Sequence, residues 1–390
     1  MKKLILTVMT MAMVSLSAFR AYADEPAAPA IDNEVTAAAL EELRYDRDYV
    51  AYYPGAYTGD FSQFYVDFHT LSRKLRTQGG FYAEDAAAIA ELTAKRAALT
   101  QVVDNPQSTL YYIWGDHMPN EAVASADDGW DVSYDNKTFR PSLAPYLVSD
   151  QSQVKGNIIV LSGGAFTHRC NQVEGYPVAE YFQSQGYNAF VLQYRVQPYA
   201  AIDAALDLQR AIRYIRYYGS QLGIAKSDIV TAVGFSAGGM AIMNQISAAY
   251  GNITPNTFYS DYVCDAVDQV NSDLNAALPV YGVSVPENPE VYNANPNIPP
   301  LFTVLGQRDE FFASTASSSL QFLLGLNTEV SFWLAPDAGH GFGMATGVQN
   351  YVDGYTVACE NWGDMAISFL DTRLGYRTKV TSKDAVDHPN

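Results

Sequence analysis

The sequence predicts an α/β protein: a mostly parallel, doubly wound sheet preceded by a helical N-terminal extension. From about residue 106, short apolar runs alternate with amphipathic segments, the signature of strands alternating with helices. The runs are apolar along most of their length, as expected for strands covered on both faces. Several of them stop at glycines, as in Leu161-Ser162-Gly163-Gly164 and Val233-Gly234. In sheets of this kind ligands bind beyond the C-terminal ends of the strands, so those ends are where chemistry is expected.

Lys2 and Lys3 open the chain, Leu4 to Phe19 is mostly apolar, and Ala21-Tyr22-Ala23 fits a cleavage site followed by Asp24-Glu25. Residues 1–23 thus read as a signal peptide of a bacterial protein exported to the periplasm or beyond. The run is too short and wrongly flanked for a stable membrane anchor. Residues 24–105 read as the helical extension, with a helix over Ala83 to Val103 carried by Ala86, Ile89, Leu92, Leu99 and Val103. Asp67 and His69 lie close together there, and such a pair is more often structural than metal-binding.

The main domain is expected over 106–376, with a polar tail at 377–390. Strands are predicted at Asn157 to Leu161, Asn188 to Tyr194, Asp228 to Val233, Ala277 to Val283, Leu301 to Leu305 and Val330 to Ala335. Helices are predicted at Pro177 to Gln185, Ala201 to Tyr218, Ser236 to Ala249 and Trp362 to Leu374.

The chain has 390 residues, 48% hydrophobic and 17% charged, ample for one large core or two ordinary ones. Its formal net charge is −18, and removal of Lys2, Lys3 and Arg20 with the signal would take it to −21. That balance argues against nucleic acid as a partner, because such binding needs clustered Lys and Arg. Cys170, Cys264 and Cys359 permit one disulfide of open pairing, and their spacing is unlike a metal site. No cofactor or metal is expected.

The chemistry starts at Gly234-Phe235-Ser236-Ala237-Gly238, a G-x-S-x-G between a strand and a helix. A sharp strand-to-helix turn exposes the serine hydroxyl while crowding the positions two before and two after, where glycine has no Cβ to clash. A serine needs a base, and the order expected in such sheets is Ser, acid, His. Of five histidines only His340 and His388 follow Ser236. His388 sits in the tail, whereas His340 stands in Gly339-His340-Gly341 just past a strand, so His340 is the expected base. The strand Leu301 to Leu305 is followed by Gly306-Gln307-Arg308-Asp309, and Asp309 is the expected acid, with Glu310 its neighbour and Asp337 a second rival. The oxyanion donors are expected to be the N–H of Ala237 and those of Gly164 and Ala165 in Ser162-Gly163-Gly164-Ala165-Phe166. His168 could line the mouth, or serve its own loop.

With these residues in hand, the order G-G-A-F, G-x-S-x-G, G-x-x-D and G-H-G-F resembles the α/β-hydrolase superfamily. More narrowly it resembles secreted acetylesterases and xylan or feruloyl esterases related to carboxylesterases. "DNKTFRPSLAPYLV" (135–148), "GGAFTHRCNQVEGYPVAEYFQSQGYNAFVLQYRV" (163–196) and "GIAKSDIVTAVGFSAGG" (223–239) extend the resemblance. Ser162 departs from it, since such enzymes often carry His or Pro before the glycines. The resemblance implies the α/β-hydrolase fold and a serine esterase for small acyl groups, often on plant polysaccharide, with a small ester or acylated carbohydrate as its partner. A peptidase or lipase on the same three residues is the rival within enzymes; the polar stretch at 250–300 does not suit an apolar lid. A non-catalytic carbohydrate-binding protein on a hydrolase scaffold is the rival outside them.

Overall fold

The apolar runs become one eight-stranded sheet in the computed structural model, with helices on both faces. The structure describes residues 85–101, 110–121, 135, 139–284, 294–336, 338–344 and 361–376, together with positions 57, 58, 64, 67 and 71. The signal segment, His69, His388, Cys359, Asp337 and the tail at 377–390 lie outside the described residues. Cys170 and Cys264 are not bonded to each other.

The strands are β1 (Tyr111–Tyr112), β2 (Ser142–Tyr146), β3 (Gly156–Leu161), β4 (Tyr187–Gln193), β5 (Val230–Phe235), β6 (Ala276–Val280), β7 (Leu301–Gly306) and β8 (Val330–Ala335). Their order across the sheet is β8-β7-β6-β5-β3-β4-β2-β1. The ladder from β4 to β8 is parallel, and β2 and β1 add antiparallel pairs at one end. Every residue of β3 to β7 is buried, as the mostly apolar runs lead one to expect. Exposed positions fall at the two edges of the sheet: Phe332 and Leu334 of β8, and Tyr112 of β1.

The helices are α1 (Asp85–Ala97), α2 (Asn171–Glu174), α3 (Tyr176–Ser184), α4 (Ala201–Tyr218), α5 (Ala237–Ala248), α6 (Ala313–Gly325) and α7 (Trp362–Arg373). Val178 and Phe182 of α3 and Trp362 and Leu370 of α7 fill the core on one face. Leu208, Ile212 and Ile215 of α4 with Ile242 and Ile246 of α5 fill the other. Chain order doubles back at β3, which lies between β4 and β5, so the crevice at the ends of β3 and β5 is the switch point.

Several boundaries differ from expectation for local reasons. The helix expected over 83–103 ends at Ala97, and Thr100–Gln101 instead pairs antiparallel with Tyr57–Thr58. Asp67 pairs with Lys95. The strand expected to reach Val283 ends at Val280, because Tyr281 turns the backbone at φ 34°. The helix expected to begin at Ser236 begins one residue later, since Ser236 has no helical φ/ψ. Two acids of the stretch after α5 are structural. Asp265 and Asp268 take the Arg210 guanidinium at 2.6 and 2.9 Å, binding that segment to α4.

Candidate active site

Ser236 stands at the tip of β5 with φ 48° and ψ −115°, a left-handed conformation that a non-glycine residue adopts only where its surroundings enforce it. The enforcement is visible on both sides. A Cβ on Gly234 would lie 2.5 Å from the Gly238 carbonyl oxygen, and one on Gly238 would lie 2.3 Å from that of Leu161. Both glycines of the motif are therefore fixed by backbone approach. The Ser236 N–H donates to the Val280 carbonyl at 3.1 Å, which ties the turn to β6.

His340 reaches the serine from the loop after β8. Its Nε2 lies 2.9 Å from Ser236 Oγ, and its Nδ1 lies 2.8 Å from Asp309 Oδ2. With an ionised Asp309 accepting from Nδ1–H, Nε2 carries the lone pair that the serine O–H meets. Asp309 follows β7 and is 1% exposed. Its other oxygen, Oδ1, accepts the N–H groups of Phe311 and Phe312 at 2.9 and 3.0 Å, which fixes the carboxylate and leaves Oδ2 for the imidazole. Glu310, the neighbouring rival, is exposed and points no oxygen at His340. The Phe312 ring stacks on the imidazole at a centroid distance of 5.6 Å, while Phe311 and Tyr281 meet it edge-on at 4.9 Å each.

The loop after β3 lies across the crevice from the serine. Gly164, Ala165 and Phe166 all have positive φ, at 130°, 54° and 58°. The Gly164 carbonyl turns inward and accepts the N–H groups of Thr167 and His168 at 2.9 and 3.2 Å. Among the described residues, nothing accepts the N–H groups of Gly164, Ala165 or Ala237. N–H groups that no described residue takes up, in the turn after the serine and in the loop whose Gly163 packs against it, are of the kind an oxyanion needs. His168 serves its own loop: Nδ1 lies 2.9 Å from Thr167 Oγ1 and Nε2 lies 3.4 Å from Cys170 Sγ.

Two residues that sequence reasoning passed over complete the surroundings. Glu174, the last residue of α2, accepts the Gly163 N–H and the Tyr281 O–H at 2.7 Å each. Burial pushes the Glu174 carboxyl above its ordinary range, against the pull of those two hydrogen bonds and of nearby His340. Burial, with Glu174 adding to it, holds the Tyr281 phenol well above its usual value. The sequence signal was slight: one acid in the uncharged stretch from Cys170 to Ala179. Among the described residues no group of three or more His, Cys, Asp or Glu side chains is arranged to hold a metal ion. Nor is any described helix long and apolar enough to cross a membrane.

Comparison with known proteins bears on the fold around this site. Residues 144–285 match the BD-FAE family. The esterase LipC of Mycobacterium tuberculosis is 26% identical over 236 residues, 52% of this chain and 56% of its own. An acetylxylan esterase of Xylanibacter ruminicola is 22% identical over 199 residues, 48% of this chain and 41% of its own. The chain thus spans about half the length of the curated relatives it matches. Among solved structures, an acetyl ester-xyloside bifunctional hydrolase of Caldicellulosiruptor lactoaceticus superposes with a TM-score of 0.51 at 24% identity. That alignment covers 67% of this chain and 95% of the other. The chain has the α/β-hydrolase fold.

Proposed function

We propose that this chain is an exported serine esterase that hydrolyses short-acyl carboxylic esters through an acyl-enzyme. The observation that carries the reading is the hydrogen-bonded series Ser236 Oγ, His340 Nε2, His340 Nδ1, Asp309 Oδ2 at the switch point of the sheet. Ser236 Oγ attacks the ester carbonyl carbon as its proton passes to His340 Nε2. The imidazolium is held by Asp309. The carbonyl oxygen becomes an oxyanion against the N–H of Ala237 and that of Gly164 or Ala165. The C–O bond then breaks, and the alcohol leaves with the proton from Nε2. A water, deprotonated by the same nitrogen, cleaves the acyl-serine and restores the enzyme. No step calls for a metal or a cofactor.

The substrate class rests on likeness. An acetylxylan esterase and a hydrolase of acetyl esters and xylosides are among the similar proteins. Acetyl groups on polysaccharide are therefore the first natural ester to try. Residues 1–23 serve in this reading as the export signal, 24–105 as an extension and 106–376 as the catalytic domain. The test is hydrolysis of p-nitrophenyl acetate, butyrate and octanoate by the mature protein beside Ser236→Ala. Rates that fall with chain length and vanish in the variant are expected, and acetylated xylan follows as substrate. Equal rates in the two proteins would overturn the assignment of Ser236.

A further inference from the structure

Glu174 has no part in the acyl-transfer steps, yet it touches the loops that carry them out. It is 5% exposed, and neither Lys nor Arg is among the groups that act on its carboxyl. A buried acid with neither Lys nor Arg beside it is costly, so the position calls for a reason. Its contacts supply one. Oε2 takes the Gly163 N–H, the amide just before the oxyanion turn. Oε1 takes the Tyr281 O–H, and the same phenol oxygen accepts the N–H of Gly343, three residues past His340. A continuous series of hydrogen bonds therefore joins the oxyanion loop to the histidine loop through the end of β6.

Packing follows the same line. Gly163 is wedged between Glu174 and the nucleophile: a Cβ there would lie 2.7 Å from Glu174 Oε2 and 3.0 Å from Ser236 Cβ. On the other side Gly343 presses on α2, where a Cβ would meet Val173 Cγ1 at 2.9 Å. The Tyr281 ring also meets the His340 imidazole edge-on. We propose that Glu174 and Tyr281 are positioning residues, a strap that sets the Gly164 and Ala165 N–H groups against His340 and so governs oxyanion stabilisation. This inference rests on the acyl-transfer reading. The strap acts on the transition state because the oxyanion forms only there, and an error of about 1 Å in such a site can cost about 10²-fold.

Steady-state kinetics on p-nitrophenyl acetate with Glu174→Ala, Glu174→Gln and Tyr281→Phe tests it. A trifluoromethyl ketone, which adds to the serine as a tetrahedral adduct, serves as the second probe. Glu174→Ala is expected to lower kcat about 10²-fold with KM within about twofold, and to weaken the ketone by the same factor. Glu174→Gln retains an oxygen for the Gly163 N–H and is expected to lose only about tenfold. Tyr281→Phe cuts the strap at its centre and should fall between the two. If Glu174→Ala does not fold, the other two variants decide. A purely structural role would lower the active fraction while leaving kcat per labelled serine and ketone affinity unchanged, and that result overturns the proposal. So does wild-type kcat in the folded variants. A wild type no better than Ser236→Ala would instead sink the esterase reading and the strap with it.

Discussion

Replacing Asp309 by Asn tests the proposed division of labour at its most sensitive point. Oδ1 of Asp309 already accepts two backbone N–H groups, from Phe311 and Phe312. An asparagine must keep its carbonyl oxygen on those donors, because turning the amide would set N–H against N–H. The NH₂ group then faces His340 Nδ1, now 2.8 Å from Oδ2. A donor at Nδ1 selects the tautomer with hydrogen on Nε2, and Nε2–H facing Ser236 Oγ cannot take the serine proton. The shape is preserved while the base is lost, and the developing imidazolium also loses its counter-charge. By analogy with serine hydrolases of this geometry, kcat on p-nitrophenyl acetate should fall about 10⁴-fold near neutral pH, with KM little changed. The assay needs Ser236→Ala as background and a melting curve to show that the variant is folded. Retention of more than about a tenth of the wild-type kcat would refute the argument and shift the orienting role to another acid, with Glu310 the first to examine.

Four further outcomes follow from other contacts. Gly238→Ala would place a Cβ 2.3 Å from the Leu161 carbonyl oxygen, just before the Gly163-Gly164 turn, and should cost about 10²-fold in kcat and about 1–3 kcal/mol in stability. Gly325→Ala, with nothing within 4 Å of the added carbon, is the neutral control by melting temperature and rate. Asp207→Ala strips the buried Arg195 of its bidentate partner at 2.8 and 3.0 Å and leaves the Trp114 indole N–H unpaired. Arg195 keeps the buried Asp203 at 3.3 Å, so a loss of about 1–3 kcal/mol is expected, read as a clearly lowered melting temperature, and a shift of under a degree would count against it. Glu174 binds its proton more tightly folded than unfolded, so wild type should lose stability relative to Glu174→Gln as pH rises from 4.5 through the raised folded value. Melting curves of the two proteins that stay parallel over that range would contradict the sign.

What the sequence could and could not reveal divides along the range of the forces involved. Ser236 was legible because the steric demands at the tip of β5, from Gly238 on Gly234 and from Leu161 on Gly238, fall on positions two before and two after the serine and spell themselves as glycines. The strands β3 to β7 were legible because burial on both faces leaves a mostly apolar run. β2 was harder, since Pro145 argues against a sheet interior. The register explains its tolerance: β1 pairs only with Ser142 and Leu143, so nothing on that side asks Pro145 for an N–H. α6 was passed over because Ser and Thr fill much of Ala313–Gly325, and these compete for backbone hydrogen bonds outside helices. The chain is led into α6 by Asp309 itself, which accepts the Phe311 and Phe312 N–H groups ahead of it.

Glu174 marks the far end of that range. Its partners lie 11 and 107 residues away, and no spacing rule connects an acid in a four-residue helix to a tyrosine at the end of β6. Hydropathy places such an acid on the surface, and only tertiary packing puts it behind the loop that begins at Gly163. The proposed acyl-transfer residues Ser236, Asp309 and His340 each end or follow a strand, so the alternation of strand and helix announces them. The groups that set those residues against one another come from whatever the loops happen to meet. A specificity for short acyl groups would be decided at the same level, by loop contacts such as those of Phe166 and Phe311, and not by the motif. For that reason kinetics of Glu174 and Tyr281 variants carry more information about how this crevice works than substitutions within G-x-S-x-G.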